Sequence, residues 1–286
     1  MKPATEQKKA NGVKCLGFGE PKGAGKSTFY LTAPLPILDL QFDLGSVTIP
    51  PGVDANQVFV QDYPDDTIVD LSTAAVKRRR ENGDKVAKDL VALLESFKNG
   101  TDIVKLSDGT SCPKPKSLLL DGGERLDQIL IDLICAINGI TDPSLMPNKS
   151  GAGVNSLAFY NDRLGRLRKL FTMIISLPIN VNMTTWADIQ FKKDAGGNVI
   201  SKTLEPALGG KLNIVGPGMF DSCIFHYHDA GKYLVRTKPS PEIGRLGIRD
   251  DYRKDITIID VTIDPEGKKP LPYDRVFGGV GLTAGK

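Results

Sequence analysis

Two periodicities run through the chain. Val13–Gly19 (VKCLGFG), Pro36–Phe42 (PILDLQF), Gln57–Gln61 (QVFVQ) and Ser117–Asp121 (SLLLD) are short apolar runs bounded by glycine or proline. That pattern predicts buried strands. Between them the spacing turns helical. Ser27–Leu31 opens a helix that Pro34 and Pro36 stop early, because proline cannot continue a helix and restricts the residue before it. From Asp66 to Phe97 the pattern is helical with a break at Asn82-Gly83, and Val86, Leu90, Leu93, Leu94 and Phe97 share one face. Leu126–Ile137 and Asn155–Leu177 read as further helices, and Ile179–Trp186 (INVNMTTW) as a strand. Hairpin-like pairs follow: Ile189–Lys193 with Val199–Thr203, then Ser222–His228 with Tyr233–Thr237. Ile256–Ile263 is a late strand, while 141–153 and Pro239–Asp251 have loop composition. Strands alternating with helices predict an α/β fold with a mostly parallel sheet, extended by antiparallel hairpins toward the C-terminus. A polar segment 1–12, one domain over 13–264 and a Gly/Pro-rich tail over 265–286 complete the expected organisation, the tail adding little to the core.

Composition narrows the class only modestly. Of 286 residues, 40% are hydrophobic and 25% charged, which excludes a coiled coil, a collagen-like repeat and wholesale disorder. No apolar run approaches the ~18 residues of a membrane-spanning helix, and residues 1–12 carry no signal-peptide core. A cytoplasmic protein is expected. The net charge of +3 neither demands nor excludes nucleic acid. Cys15, Cys112, Cys135 and Cys223 lie far apart with no CxxC pair, so buried free thiols are expected.

The sharpest chemical signal is Gly19-Glu20-Pro21-Lys22-Gly23-Ala24-Gly25-Lys26-Ser27-Thr28, between a predicted strand and a predicted helix. A triphosphate needs several backbone N–H groups turned into one concavity, which glycines permit and a helix N-terminus reinforces. A lysine must reach the outer phosphates, and a hydroxyl beside it must hold Mg²⁺. Gly23, Ala24, Gly25, Lys26, Ser27 and Thr28 supply those types in that order. The spacing departs from G-x-x-x-x-G-K-[ST], since Glu20 stands where glycine is usual and Gly19 comes one residue early. A second acid for the Mg²⁺ water shell belongs at the end of a neighbouring apolar strand. Leu118-Leu119-Leu120-Asp121 fits, which makes Ser27 and Asp121 the candidate Mg²⁺ residues.

With these motifs placed, the chain resembles the RecA-like P-loop ATPases encoded by bacteriophages, in particular the small group associated with single-strand annealing and recombination. The likeness spans roughly Val13 to Arg249. It rests on the phosphate loop, the strand ending near Asp39, the Asp121 strand, the helix before Leu177-Pro178-Ile179-Asn180-Val181, the polar pair Thr184-Thr185, and Pro206-Ala207-Leu208-Gly209-Gly210-Lys211. The resemblance implies a RecA-like P-loop NTPase core, ATP and Mg²⁺ as cofactors, ATP hydrolysis, and single-stranded DNA as partner. It also implies self-association into rings or filaments with ATP between subunits, the host-cell cytoplasm as location, and a phage single-strand binding or annealing protein as a further partner. The family's water-activating glutamate follows an Asp-x spacing; here the place reads Asp39-Leu40-Gln41. Gln41 can orient water but cannot take its proton, leaving Asp43 and Glu124 as substitutes and slow hydrolysis as an expectation. A nucleotide-switched module that hydrolyses weakly and recruits a protein partner is the alternative. Basic residues reaching a neighbour's phosphate would be Arg245 or Arg249, the latter the candidate catalytic finger.

Other features have simpler readings beside the functional ones. Lys77-Arg78-Arg79-Arg80 is a basic run that could meet DNA phosphates or cover a solvated helix end. Arg163, Arg166 and Arg168 are surface cations or interface residues. His226 and His228 share a strand face, a spacing that could hold a metal, but no third ligand lies near in sequence. Trp186, the lone tryptophan, reads as core packing, and either Thr184 or Thr185 could face the nucleotide.

Overall fold

A computed structural model describes residues 12–19, 23–42, 47–63, 73–126, 128–129, 131, 165, 168–208, 217–244, 246–247 and 257–278. Within them lie strands β1 (Lys14–Gly19), β2 (Ile37–Gln41), β3 (Val58–Asp62), β4 (Ile103–Lys105), β5 (Ser111–Pro113) and β6 (Ser117–Asp121). β7 (Asn180–Lys193), β8 (Val199–Pro206), β9 (Ser222–Asp229), β10 (Lys232–Arg236) and β11 (Ile258–Asp260) follow. The helices are α1 (Lys26–Tyr30), α2 (Thr73–Asn99), α3 from residue 123, α4 over 168–175 and α5 (Pro272–Phe277).

Nine strands form one sheet in the order β11-β10-β9-β1-β7-β6-β2-β3, with β8 paired to β7. The six strands from β9 to β3 in that order are mutually parallel, and β10, β11 and β8 are antiparallel additions. The chain is thus a mixed α/β protein built on a large, mostly parallel sheet flanked by few helices. Parallel strands covered on both faces read as continuous apolar runs, and that is why SLLLD and VKCLGFG were legible.

The two faces differ in chemistry. One carries Leu16, Leu38, Leu40, Leu118, Leu120 and Met183 into the larger cluster, with Val86, Leu90 and Leu93 of α2 and Phe171 and Ile174 of α4. The other packs Cys15, Ile37, Leu119 and Ile224 beneath Phe29 and Tyr30 of α1 and Tyr273, Val276 and Phe277 of α5. On this second side the sheet also buries Asp39, Asn182, Thr184 and His226.

Three expectations are corrected. The α2 helix runs unbroken through Asn82-Gly83. Glycine in a helix interior costs about 1 kcal/mol against alanine, and the buried face of Val86, Leu90 and Leu93 offsets it. The segments 179–186 and 189–193 belong to one 14-residue strand, β7, that leaves the sheet as half of the β7–β8 ribbon. The tail contributes to the core: Tyr273, Val276 and Phe277 are buried against α1. The small β4–β5 pair was not legible, since three-residue strands carry no periodicity. Cys15, Cys112 and Cys223 are buried free thiols, as expected, and Cys135 lies outside the described residues.

Candidate functional site

Strand β1 delivers the glycine-rich segment to the carboxyl edge of the sheet. Gly23 and Gly25 sit at φ of 80° and 73°, left-handed backbone that favours glycine. Gly25 caps α1, and a Cβ there would stand 2.8 Å from the Tyr233 ring of β10. Gly19 matters for strand pairing instead. A Cβ on it would lie 2.3 Å from the His226 carbonyl oxygen, so this glycine lets β1 and β9 pair closely. Gly19 is not among the described residues that line the cavity. The α1 helix has only five residues, so its dipole counts for little beside the loop N–H groups and Lys26.

A cavity of about 270 Å³ opens at this edge. Gly23, Ala24, Gly25, Lys26, Ser27 and Thr28 form one wall. Gln41, Asp121, Glu124, Thr184, Trp186 and Tyr233 are among the others. Asp121 therefore faces the loop across the cavity although about a hundred residues separate them. The strand between them, β7, holds it there: the Thr184 hydroxyl donates to Asp121 Oδ1 and accepts the Gly122 N–H at 2.9 Å. Thr185 points to the other side and hydrogen-bonds the Trp186 carbonyl at 3.0 Å, which decides between the two threonines in favour of Thr184. Glu124 accepts the Trp186 backbone N–H at 3.3 Å, and Arg125 lies 5.9 Å from the Trp186 ring centroid. Trp186 is thus a cavity wall, not a core residue.

Beneath the loop lies a buried polar layer. The Tyr30 hydroxyl is 3.3 Å from Cys15 Sγ and 3.4 Å from His226 Nε2. Burial, helped by the nearby Lys26 charge, lowers His226 to a pKa of about 3, so this histidine stays neutral. It is core, while His228 lies outside it against the Tyr233 ring at 5.0 Å. The two do not converge on a metal, and among the described residues no group of three or more His, Cys, Asp or Glu does. On β2, burial pushes the Asp39 carboxyl well above the usual range, with the Asp121 charge adding to it.

Asp43, Arg245 and Arg249 lie outside the described residues, as do Glu20, Pro21 and Lys22. Arg163 and Arg166 do as well, whereas Arg168 is an exposed residue of α4. Of the basic run, Lys77 is exposed and faces Glu81 at 3.9 Å, while the side chains of Arg78, Arg79 and Arg80 are outside those described. Tyr233, Val47 and Thr48 line the cavity without any sequence signal: Tyr233 is brought there by the pairing of β10 with β9, and Val47 and Thr48 belong to the irregular segment between β2 and β3.

A magnesium-bound nucleotide is tested against this donor set. Mg²⁺ keeps most of its waters and uses one or two carboxylates plus substrate phosphates. One restrained carboxylate, Asp121, opposite Ser27 and Lys26 meets that requirement, and left-handed glycines supply the concavity. The residues fit. No family model matches the chain, and no curated protein matches its sequence. Among the described residues no helix is long and apolar enough to cross a membrane.

Proposed function

We propose that the chain is a RecA-like P-loop ATPase that binds Mg²⁺·ATP and acts on single-stranded DNA. The observation that carries this reading is the convergence of Lys26 and Ser27, from the segment after β1, with Asp121 from β6 on one cavity. The strand interposed between β1 and β6 supports it further, because β7 brings Thr184 to the acid. Ser27 and Asp121 would hold Mg²⁺, which when bound neutralises charge on the outer phosphates. Loop N–H groups bind and orient the phosphates, and Lys26 meets charge that builds on them. Glu124 is the described acid nearest in role to a water-activating base; Asp43 and a trans-acting Arg249 remain proposals from the sequence. Phe191, 5.8 Å from Lys202 and beside Lys192 and Lys193 on the β7–β8 ribbon, offers an aromatic face among cations of the kind that holds single-stranded DNA.

Lys26→Ala tests the site. The variant is expected to keep its circular dichroism and lose ATP affinity, read from the fluorescence of Trp186, the lone tryptophan, which lines the cavity. Unchanged affinity overturns the phosphate-loop assignment. One observation favours the second reading, a nucleotide-switched binding module. The residue in register with Asp121 is Gln41, which cannot accept a proton, and Glu124 is engaged by a backbone N–H. Steady-state ATPase with and without single-stranded DNA separates the two.

A further inference from the structure

Among the buried polar groups, Asp39 stands out because nothing in the nucleotide reading uses it. It is 0% exposed in the middle of β2, flanked by β3 and β6, and the charged groups among the described residues that act on it are the acids Asp121 and Asp62. Burying a carboxyl carries a desolvation cost that an apolar residue does not, so packing alone gives no reason for an acid. Its Oδ2 accepts a hydrogen bond from Gln41 Nε2 at 3.3 Å, and its Oδ1 has no partner among the described residues. Gln41 lies two residues on, along the same face, where it lines the cavity in register with Asp121.

We propose that Asp39 is a positioning residue that sets the amide of Gln41, so that Gln41 presents its carbonyl oxygen to water beside Asp121. This rests on the ATPase reading above and gives Gln41 a definite role within it. A glutamine side chain ends in a donor and an acceptor of nearly equal shape, and either can face a site. A residue that orients water by accepting its hydrogen bond must have that choice made for it. Pinning Nε2 on Asp39 makes it: the two ends of the amide diverge from one carbon, so Oε1 is the end directed away from Asp39, on a side chain that lines the cavity. The arrangement also accounts for burying an acid at this point of the sheet, two residues before the position that faces the nucleotide.

The test compares Asp39→Ala, Asp39→Asn and Gln41→Ala in the full chain, with fold checked by circular dichroism and ATP affinity by Trp186 fluorescence. Asp39→Ala is expected to lower kcat about tenfold or more with ATP affinity and KM little changed, and Gln41→Ala to do the same. In the double variant the two losses should not add, since both remove one arrangement. Asparagine keeps an acceptor for Gln41 Nε2, so Asp39→Asn should recover most of kcat. Equal loss in Asp39→Asn and Asp39→Ala, additive losses, or full kcat in Asp39→Ala overturns the proposal. A parent that binds ATP without measurable turnover also overturns it, while a parent that binds no ATP fails the nucleotide reading itself. A second readout needs no loss of packing: the Gln41 side-chain amide resonance, identified by its absence in Gln41→Ala, should move in Asp39→Asn and stay put in Asp194→Asn, at the exposed tip of the β7–β8 ribbon. No movement in Asp39→Asn counts against the contact.

Discussion

The two faces of the central sheet are made from alternate residues of the same strands, yet they obey different rules. Toward α2 and α4 the strands present Leu, Phe, Val and Met, and the face is a packed hydrophobic layer. Toward α1 and α5 the same strands present Asp39, Gln41, Asp121, Asn182, Thr184 and His226 among the apolar residues. In a strand the side-chain period is two, so one face can be given to stability and the other to polar chemistry without conflict. The second face carries costs that the first does not. Asn182 Nδ2, Ser222 Oγ and His226 Nδ1 are buried there without hydrogen-bond partners among the described residues. A buried unsatisfied polar group costs about 1–3 kcal/mol. Such expense beneath the candidate nucleotide loop, with none of these orphans on the apolar side, separates a face built for packing from one built for a site.

The comparison is broken most severely on the apolar face. Leu120→Ala removes a fully buried side chain between α2 and the sheet, and is expected to cost about 2–5 kcal/mol. Urea unfolding with an unchanged slope measures it, and a loss below about 1 kcal/mol would show a face less tightly packed than described. On the polar face, Gly17→Ala places a methyl 2.1 Å from the Tyr30 hydroxyl, with the ring carbons close behind. Forced repacking costs about 1–3 kcal/mol, and adding Tyr30→Leu, which withdraws the ring tip, should recover part of it.

Opposite pH dependences sharpen the contrast further. His226 has a pKa near 3 in the folded chain against an ordinary 6.5. The unfolded chain therefore takes up the proton first, and stability present above pH 6.5 is lost as pH falls toward 3. His226→Phe should flatten that acid limb of the stability profile. Asp39 works with the other sign, because its folded pKa lies above the ordinary 3.8. Its contribution is complete in acid and is lost as pH rises through that raised value, so Asp39→Asn should gain on the parent as pH increases. Unfolding midpoints across pH for parent and both variants check the two signs, and parallel profiles for all three would remove the account of a buried polar layer.

The smallest effect on stability is expected on the β7–β8 ribbon, beyond the parallel strands. Ile189, Phe191 and Ile200 on the ribbon are 50%, 51% and 57% exposed. Phe191→Ser should change stability by no more than about 0.5 kcal/mol. The same variant should weaken salt-sensitive binding to single-stranded DNA, since a base stacked on an aromatic ring contributes about 1–3 kcal/mol. Unaltered DNA affinity would take the ribbon out of the proposed interface.

Much of the scaffold was legible because local chemistry suffices for it. Ser117–Asp121 was predicted and observed with the same bounds, and β1, β2 and β3 agree with expectation to within a residue or two at each end. Strand–glycine loop–helix order around Lys26 is likewise a local property, since left-handed turns need glycine wherever they occur. Expectation went astray where tertiary contact outweighs local preference. Gly83 sits within a helix that its buried neighbours maintain, and 272–277 is a helix only because α1 offers a surface to cover.

The site divides in the same way. The sequence alone determined which residue types are present: glycines able to turn left-handed, a lysine and hydroxyl after them, an acid ending an apolar strand, and glutamine where a glutamate would be usual. Their assembly was decided by the order of strands in the sheet, a non-local property that no window of sequence contains. Inserting β7 between β1 and β6 brought Thr184 rather than Thr185 to Asp121 and turned Trp186 from expected core into cavity wall. Pairing β10 with β9 carried Tyr233 to the phosphate loop, and the pleat of β2 put Asp39 and Gln41 on one side. The physical reason is that side-chain direction alternates along each strand by local geometry, whereas the neighbours that a side chain meets are set by which strands share hydrogen bonds.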